Sequence, residues 1–258
     1  MKLTVATYNI NSIRVRLPLL LRWLEAVHPD VVCLQETKVQ DNDFPALELR
    51  KAGYDMAFCG QKSYNGVAIL SRHLVRGARF GFDSEPKDRS RLITATVCGI
   101  GIVNSYVPQG RSPDHEMYTY KLAWLGRLRK HLEARFSPDE PLIWLGDFNI
   151  APEPIDVYDP KRLSGHVCFN PQVTEALNEV KTWGLVDVFR KHVPDEGQYS
   201  FYDYRAKDSV ERGTGWRVDH ILATGTLAEK SSRAWIDVDL RTQEKPSDHV
   251  PVLATFEV

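Results

Sequence analysis

The stretch PLIWLGDFNIAPE, Pro141 to Glu153, decides how the rest of the chain is read. Four apolar residues, Leu142, Ile143, Trp144 and Leu145, run into Gly146, and Asp147 and Asn149 then follow with only Phe148 between them. A short apolar run bounded by a glycine reads as a buried strand. A buried strand that ends by presenting a carboxylate and an amide reads as a rigid mount for polar chemistry.

The pattern recurs along the chain. LTVATYN ends in Asn9, DVVCLQE in Glu36 and IVNSY in Tyr106. WRVDH embeds Asp219 in a strand, and KPSDHVPVLATF sets Asp248 and His249 just before the last one. Each residue has a bland reading when taken singly. A lone Asp after a strand is usually a turn or cap residue, Asn9 fits a turn, Tyr106 fits a core aromatic, and a lone His usually packs. Glu36, directly after Val-Val-Cys-Leu, has little reason to lie in a core. Jointly, these acids and amides with one Tyr and one His suit a hard divalent cation beside a phosphate, because magnesium takes one or two carboxylates and leaves its other positions to water and substrate oxygens.

Strand candidates are Leu3–Tyr8, Val31–Leu34, Gly66–Ser71, Leu92–Val97, Ile100–Tyr106, Leu142–Leu145, Arg217–Ala223 and Val250–Phe256. Three stretches read as helices. RLPLLLRWLEAV sets Leu17, Leu20, Leu21, Leu24 and Val27 on one face, with Pro18 in the first turn. SPDHEMYTYKLAWLGRLRKHLEARF takes Ser112 as N-cap and Pro113 as its first residue, with Leu125, Leu128 and Leu132 at helical spacing. NPQVTEALNEVKTWG takes Asn170 as cap, then Pro171, and stops at Gly184. Strands outnumber helices, so two packed sheets with helices outside are expected: an α/β sandwich, residues 1–258 forming one domain.

At 258 residues the chain is long enough for a large core, and its 43% hydrophobic and 26% charged content is that of an ordinary soluble protein. A net charge of -1 and a pI near 6.7 decide nothing about nucleic acid, since phosphate binding needs only a local basic face. Cys33, Cys59, Cys98 and Cys168 form no metal spacing. Cys33 and Cys98 lie in apolar runs and fit free buried thiols. No signal-like core or membrane-length apolar run occurs, so a cytoplasmic location is expected.

TYNINSIR, LQETK, YNGVAILS, SYVPQG, WLGDFNIAP, WRVDHIL and PSDHVPV, in this order, resemble the motif series of the exonuclease III family of abasic-site endonucleases, within the endonuclease/exonuclease/phosphatase superfamily. The likeness runs from Asn9 to the C-terminus. It implies a four-layered sandwich of two mainly antiparallel sheets flanked by helices, with the site at one end of both sheets. It implies Glu36 as principal Mg²⁺ ligand (Mn²⁺ substituting), helped by Asn9 and Asp248, with Asn11 nearby. Asp147 would position and deprotonate the attacking water, Asn149 would orient it, and Asp219 would hold His249 against the scissile phosphate. Tyr106 would donate to a phosphate oxygen or support the leaving group.

The implied substrate is double-stranded DNA with abasic sites or blocked or recessed 3′ ends. The implied activities are cleavage 5′ to the lesion, 3′-to-5′ exonuclease and 3′-end cleaning, by a monomer that needs no membrane. Phe201, Trp216 and Val218 would build an apolar pocket for a flipped-out abasic sugar, the competing reading being core aromatics. Lys62, Tyr64 and Asn65 would grip backbone phosphate, with Gln109, Arg111, Arg205 and Lys207 as further contacts; as solvated surface groups they would do nothing of the kind. Two departures from the family's pattern stand out. Leu163 and His166 occupy positions where relatives carry phosphate-holding asparagines, and Ser90 stands where a Gly often precedes the Arg. Other readings are a predominantly 3′-end-processing exonuclease, a phosphodiesterase for a lipid or inositol phosphate, and a catalytically silent DNA-end-binding protein. No lipid-facing hairpin supports the second of these, and the third would lack Glu36, Asp147 or His249. The motif series starts at residue 8, so no nuclear-targeting extension is expected.

Overall fold

The computed structural model describes residues 1–206 and 208–258, so Lys207 lies outside the described residues. Among the described residues, twelve strands form two six-stranded sheets. The first half of the chain supplies β1 (Lys2–Asn9), α1 (Ile13–Val27), β2 (Val31–Gln35), α2 (Ala46–Lys51), β3 (Asp55–Cys59) and β4 (Val67–Ser71). Then come β5 (Arg76–Phe80), β6 (Leu92–Val97), β7 (Ile100–Tyr106), α3 (Glu116–Arg135) and β8 (Leu142–Asp147). The rest is α4 (Pro171–Lys181), β9 (Leu185–Asp187), α5 (Val188–His192), β10 (Asp219–Thr224), α6 (Gly225–Glu229), β11 (Ser231–Ile236) and β12 (Val252–Glu257).

The sheets run β11-β12-β1-β2-β4-β3 and β5-β6-β7-β8-β10-β9. Pairing is antiparallel except for β1 with β2 and β7 with β8. Each parallel pair is bridged by a long helix, α1 and α3, as a parallel connection requires. The result is the α/β sandwich expected from the strand-rich sequence.

Alternation along each central strand explains why these strands read as unbroken apolar runs. Val31, Cys33, Ile143 and Leu145 point between the sheets, into a core that also holds Leu3, Val5, Ile102 and Ile221. Their neighbours Val32 and Leu34 face α1, packing on Leu20, Trp23 and Leu24. Leu142 and Trp144 face α3 and α4, against Trp124, Leu125, Leu128, Leu132 and Leu177. Both faces are buried, so polar residues enter only toward one end of these strands and only with hydrogen-bond partners. Gly146 is required where β8 meets β7: its φ is +149°, and a Cβ there would lie 1.9 Å from the Ser105 carbonyl oxygen.

Several expectations shift. β3, β5, β9 and β11 carry weak patterns and were not anticipated; β5, for example, is half-exposed and holds two arginines. Helix α1 begins at Ile13, which puts Pro18 inside the helix rather than in its first turn. Its buried face is Ile13, Leu19, Leu20, Trp23 and Leu24, a rotation away from Leu17 and Leu21. Helix α3 is capped by His115, whose Nδ1 accepts from Met117 N, and not by Ser112; residues 112–115 form a separate turn. The Asn170 cap on α4 is as expected, accepting from Val173 N, although the helix ends at Lys181 ahead of Gly184. Cys98 is exposed, at the tip of the β6–β7 hairpin, where Cys98 and Gly99 both have positive φ. Such a two-residue turn points its side chains to solvent. Strand β10 starts at Asp219, and Arg217 before it is a fully buried ion-pair residue. Among the described residues no helix is long and apolar enough to cross a membrane.

Candidate active site

The same alternation that builds the core builds the site. Val5, Thr7 and Asn9 share one face of β1; Cys33 and Gln35 of β2; Asn104 and Tyr106 of β7; Leu145 and Asp147 of β8; Asp219 and Ile221 of β10. All face between the sheets, and toward one end of the sandwich the lining turns from apolar to polar. Gln35 Nε2 donates to Asn104 Oδ1 at 2.8 Å and to Thr7 Oγ1 at 3.0 Å, while Asn104 Nδ2 donates to the Leu34 and Ala68 carbonyls. This buried amide layer is satisfied, as burial requires. It stitches the two sheets together directly beneath the outermost residues.

Those residues converge. Asn9 Nδ2 donates to Glu36 Oε1 and to Asp147 Oδ2, both at 2.8 Å. Asp147 Oδ1 accepts from Asn149 N at 2.8 Å, and Asn149 Nδ2 donates to the Val107 carbonyl. His249 Nδ1 donates to Asp219 Oδ2 at 2.8 Å, leaving Nε2 turned toward Asp147 Oδ2, 3.8 Å away. Asp219 is itself held by Ser200, whose hydroxyl donates to it at 2.7 Å and accepts from the backbone of Val218 and Asp219. Asp248 accepts from Asn11 Nδ2 at 2.9 Å. Glu36 (φ +52°), Asn11 (φ +44°) and Asn149 (φ +51°) sit in the left-handed region, a concentration of strained backbone at one place.

Burial pushes the Asp147 carboxyl up, and the neighbouring Asp219 and Glu36 carboxylates add to the push against the pull of His249, to about 7. Burial would lower His249, but Asp219 and Asp147 outweigh it and raise the imidazole to about 10. Tyr106 is driven well above its ordinary value by burial and by Glu36 and Asp147. Glu36 resists the rise that burial would bring, because Lys38 and Asn9 hold it below the usual carboxylate range. One acid poised near neutrality beside one cationic imidazole is the arrangement expected of a reacting centre.

Two donor sets could hold a cation. Ligand atoms of Asp147, Asp219 and His249 lie within 4.8 Å of one another, and Asp219 Oδ1 has no partner among the described residues. But Asp219 Oδ2 is taken by His249, and the imidazole, raised to about 10, keeps its protons and offers no lone pair. The better fit is the all-oxygen group at Glu36, Asn11 and Asp248. A cation is already drawn there: the Lys38 ammonium lies 2.7 Å from Glu36 Oε2 and 2.5 Å from Asn11 Oδ1. A hard divalent ion favours such oxygens over an imidazole.

The cleft, about 280 Å³, is lined by Glu36, Tyr106, Gln109, Asp147, Asn149, Phe201, Arg205, Trp216, Val218, Asp248 and His249 from the sequence reading, and by His166, Cys168 and Asp203 besides. Phe201 and Trp216 are half-buried, Phe201 with its ring 4.9 Å from His249, so neither is a plain core aromatic. Lys62, Tyr64, Asn65 and Arg111 are not among the lining residues. The 61–65 loop is nevertheless anchored beside the site, since Lys38 N donates to the Asn65 carbonyl. Leu163 does not line the cleft, whereas His166 does and packs on Trp216 at 4.7 Å. Lys38, Ser200 and Asp203 were missed. Lys38 had a signal, two residues after Glu36 in LQETK; Ser200 and Asp203 lie on irregular backbone that carries no period.

The Endonuclease/Exonuclease/phosphatase family model matches residues 6–249. Exodeoxyribonuclease III of Haemophilus influenzae is 35% identical over 97% of this chain and 98% of its own length. The structure of an AP endonuclease from Archaeoglobus fulgidus superposes with a TM-score of 0.98 at 48% identity, covering 99% of this chain and all of that one. A 3′ phosphatase, NExo, from Neisseria, solved bound to product DNA hairpin, superposes at 0.94 with 35% identity, covering 99% of this chain and 100% of its own. The chain belongs to the Endonuclease/Exonuclease/phosphatase family, and within it to the exonuclease III-like enzymes that hydrolyse DNA phosphodiester bonds.

Proposed function

We propose that the protein is a monomeric, Mg²⁺-dependent DNA-repair enzyme that cuts the backbone 5′ to abasic sites, leaving a 3′-hydroxyl and a 5′-deoxyribose phosphate, and that also degrades and cleans 3′ ends. The observation that carries this reading is the single Asn9 amide nitrogen shared by Glu36 and Asp147, which sets a cation-binding carboxylate and a water-activating one side by side. The relatives described as an AP endonuclease and a 3′ phosphatase support the pairing of activities.

Asp147, raised to about 7, accepts a proton from water at neutral pH, and the bond from Asn149 N keeps its second oxygen fixed. The water oxygen bonds to phosphorus as the bond from phosphorus to the 3′-oxygen breaks. His249, protonated up to about pH 10 and held by Asp219, supplies positive charge to a phosphate oxygen. Tyr106 stays protonated and donates to the phosphate or to the departing 3′-oxygen. Glu36 and Asp248 would hold Mg²⁺ with the Asn11 oxygen, while Asn9, expected as a ligand, turns its nitrogen to Glu36 and Asp147 and orients them instead; when bound, the ion would neutralise charge on the reacting phosphate. Phe201, Trp216 and Val218 form the apolar wall that accepts a sugar without a base.

One observation favours a second reading, predominantly 3′-end processing. His166, packed on Trp216, narrows the wall that would take the abasic sugar. The deciding experiment offers the protein a 5′-labelled duplex with one reduced abasic analogue and, separately, an undamaged recessed duplex, with Mg²⁺ or EDTA. A metal-dependent cut 5′ to the analogue is expected. A 3′ ladder without that cut moves the function to end processing, and His166→Ser should then restore the cut. Absence of both activities would sink the reading.

A further inference from the structure

Lys121 lies on the buried face of α3, one turn before Trp124 and Leu125, and is fully buried. A lysine in such a position costs its hydration, so it persists only where its protons are used. All three are used on peptide carbonyls: Asn149 O at 2.7 Å, Val167 O at 3.1 Å and Gln109 O at 3.2 Å. These oxygens belong to three separate irregular segments. One follows β7, one follows β8 and one precedes α4. Each also places a side chain in the cleft: Gln109, Asn149, and His166 with Cys168. Gly110 makes the approach possible, since a Cβ there would stand 2.9 Å from Val167 Cγ2 and 3.3 Å from Lys121 Cδ.

We propose that Lys121 is a positioning residue, a three-way clamp that fixes these three segments relative to one another and so sets the shape of the substrate cleft. It touches no substrate. Its effect reaches the chemistry through Asn149: holding that carbonyl pins the far side of the residue whose own N–H, on the preceding peptide, donates to Asp147 Oδ1. The inference rests on the proposed function, because it assigns these segments to substrate positioning.

The test compares wild type, Lys121→Met and Lys121→Gln in the full chain, with kcat and KM measured separately for abasic cleavage and for 3′-end trimming, beside circular-dichroism melts. Methionine fills the space without a donor; glutamine keeps two N–H donors. Lys121→Met should lower kcat on the order of ten- to a hundredfold, the scale of a misplacement near 1 Å, with a smaller change in KM. It should also change the ratio of the two activities, and Lys121→Gln should recover part of the loss. A role in packing alone would lower the melting temperature and leave kcat per folded molecule and the ratio unmoved. Unchanged kcat and ratio in folded variants would overturn the proposal, as would failure of both variants to fold. If Lys121→Met alone fails to fold, Lys121→Gln decides by the same readouts. An inactive wild type would sink the proposed function instead, so the two failures are distinguishable.

Discussion

Strand order β11-β12-β1-β2-β4-β3 in the first sheet and β5-β6-β7-β8-β10-β9 in the second correspond position for position, each strand of one being six places along the chain from its counterpart. The registers match as well. In the first sheet Asn9 stands opposite Gln35, and Gln35 opposite Val67. In the second, Tyr106 stands opposite Asp147, and Asp147 opposite Asp219. Equivalent places in two like scaffolds therefore hold two neutral amides and a valine on one side, and a phenol and two carboxylates on the other. The first half brings its acid one residue later, on Glu36, outside the strand and at a positive φ. Acids in both sets of equivalent places would face one another across the gap and repel; an amide between two carboxylates donates to both. Under the proposed function, the carboxylate assigned to the cation stands on the first sheet and the one assigned to the water on the second.

The largest test of that division is Asp147→Asn, which gives the second half an amide where the first already has one. Cleavage should fall about 10³-fold or more through loss of the general base, while binding of an abasic duplex, measured by fluorescence anisotropy, stays near the wild-type value. Turnover close to normal would end the assignment. Next is Glu36→Gln on the other half. The Mg²⁺ concentration for half-maximal rate should rise by at least about tenfold, the scale seen even for groups supporting a metal ligand. An unmoved metal titration would break the division by showing that the cation does not depend on the first half.

A third test concerns stability, which is also unequal between the halves. His220, in the second sheet, is buried and held neutral: Nδ1 accepts from Arg217 at 3.0 Å and Nε2 donates to the Ile150 carbonyl at 2.7 Å. Burial first, and then the Arg217 guanidinium, push it down to about 4. A histidine depressed in the folded state protects fully above its unfolded value near 6.5 and loses that protection as pH falls toward 4. Urea unfolding should therefore lose about 3 kcal/mol over that window. His131, buried on α3 in the same outer layer, is also pushed down to about 4 by burial and Arg135. Hydrogen exchange at pH 5 should open the layer around β8, β10 and α3 before that around β1 and α1. His249 has the opposite sign: raised to about 10, it stabilises below 6.5 and loses that contribution as pH rises through 10. Uniform opening of both layers in acid would remove the asymmetry.

Much of the candidate site was legible in the sequence because each polar group ends an apolar run, and the period of two fixes which face it shares. Asn9, Glu36, Tyr106 and Asp147 were marked this way, and Asp219 and His249 by their place at the start of a strand; Glu36, Tyr106, Asp147 and His249 line the cleft, with Asn9 and Asp219 bonded to them from behind. Lys38 carried a faint signal. Ser200 and Asp203 carried none that could be weighed, since they lie on irregular backbone. Lys121 had the helical period, four and seven positions before Leu125 and Leu128, but a charged residue there gives no sign of which groups it meets. Weak edge strands were missed for a related reason. An edge strand such as β5, open on one side and rich in arginine, has no two-sided burial to write into its sequence.

The sequence by itself determined the family, the sandwich and the residues at the strand ends, because burial on both faces forces apolar runs and the chemistry forces polar residues where those runs stop. Only the tertiary structure decided which of those residues meet. Asn9 and Asp147 are 138 positions apart, and their contact depends on two sheets packing at one separation through Gln35 and Asn104. It also decided that the Lys121 ammonium meets three peptide carbonyls and that His166 faces the cleft, since the partners of a polar group are a property of its neighbours in space, not in sequence.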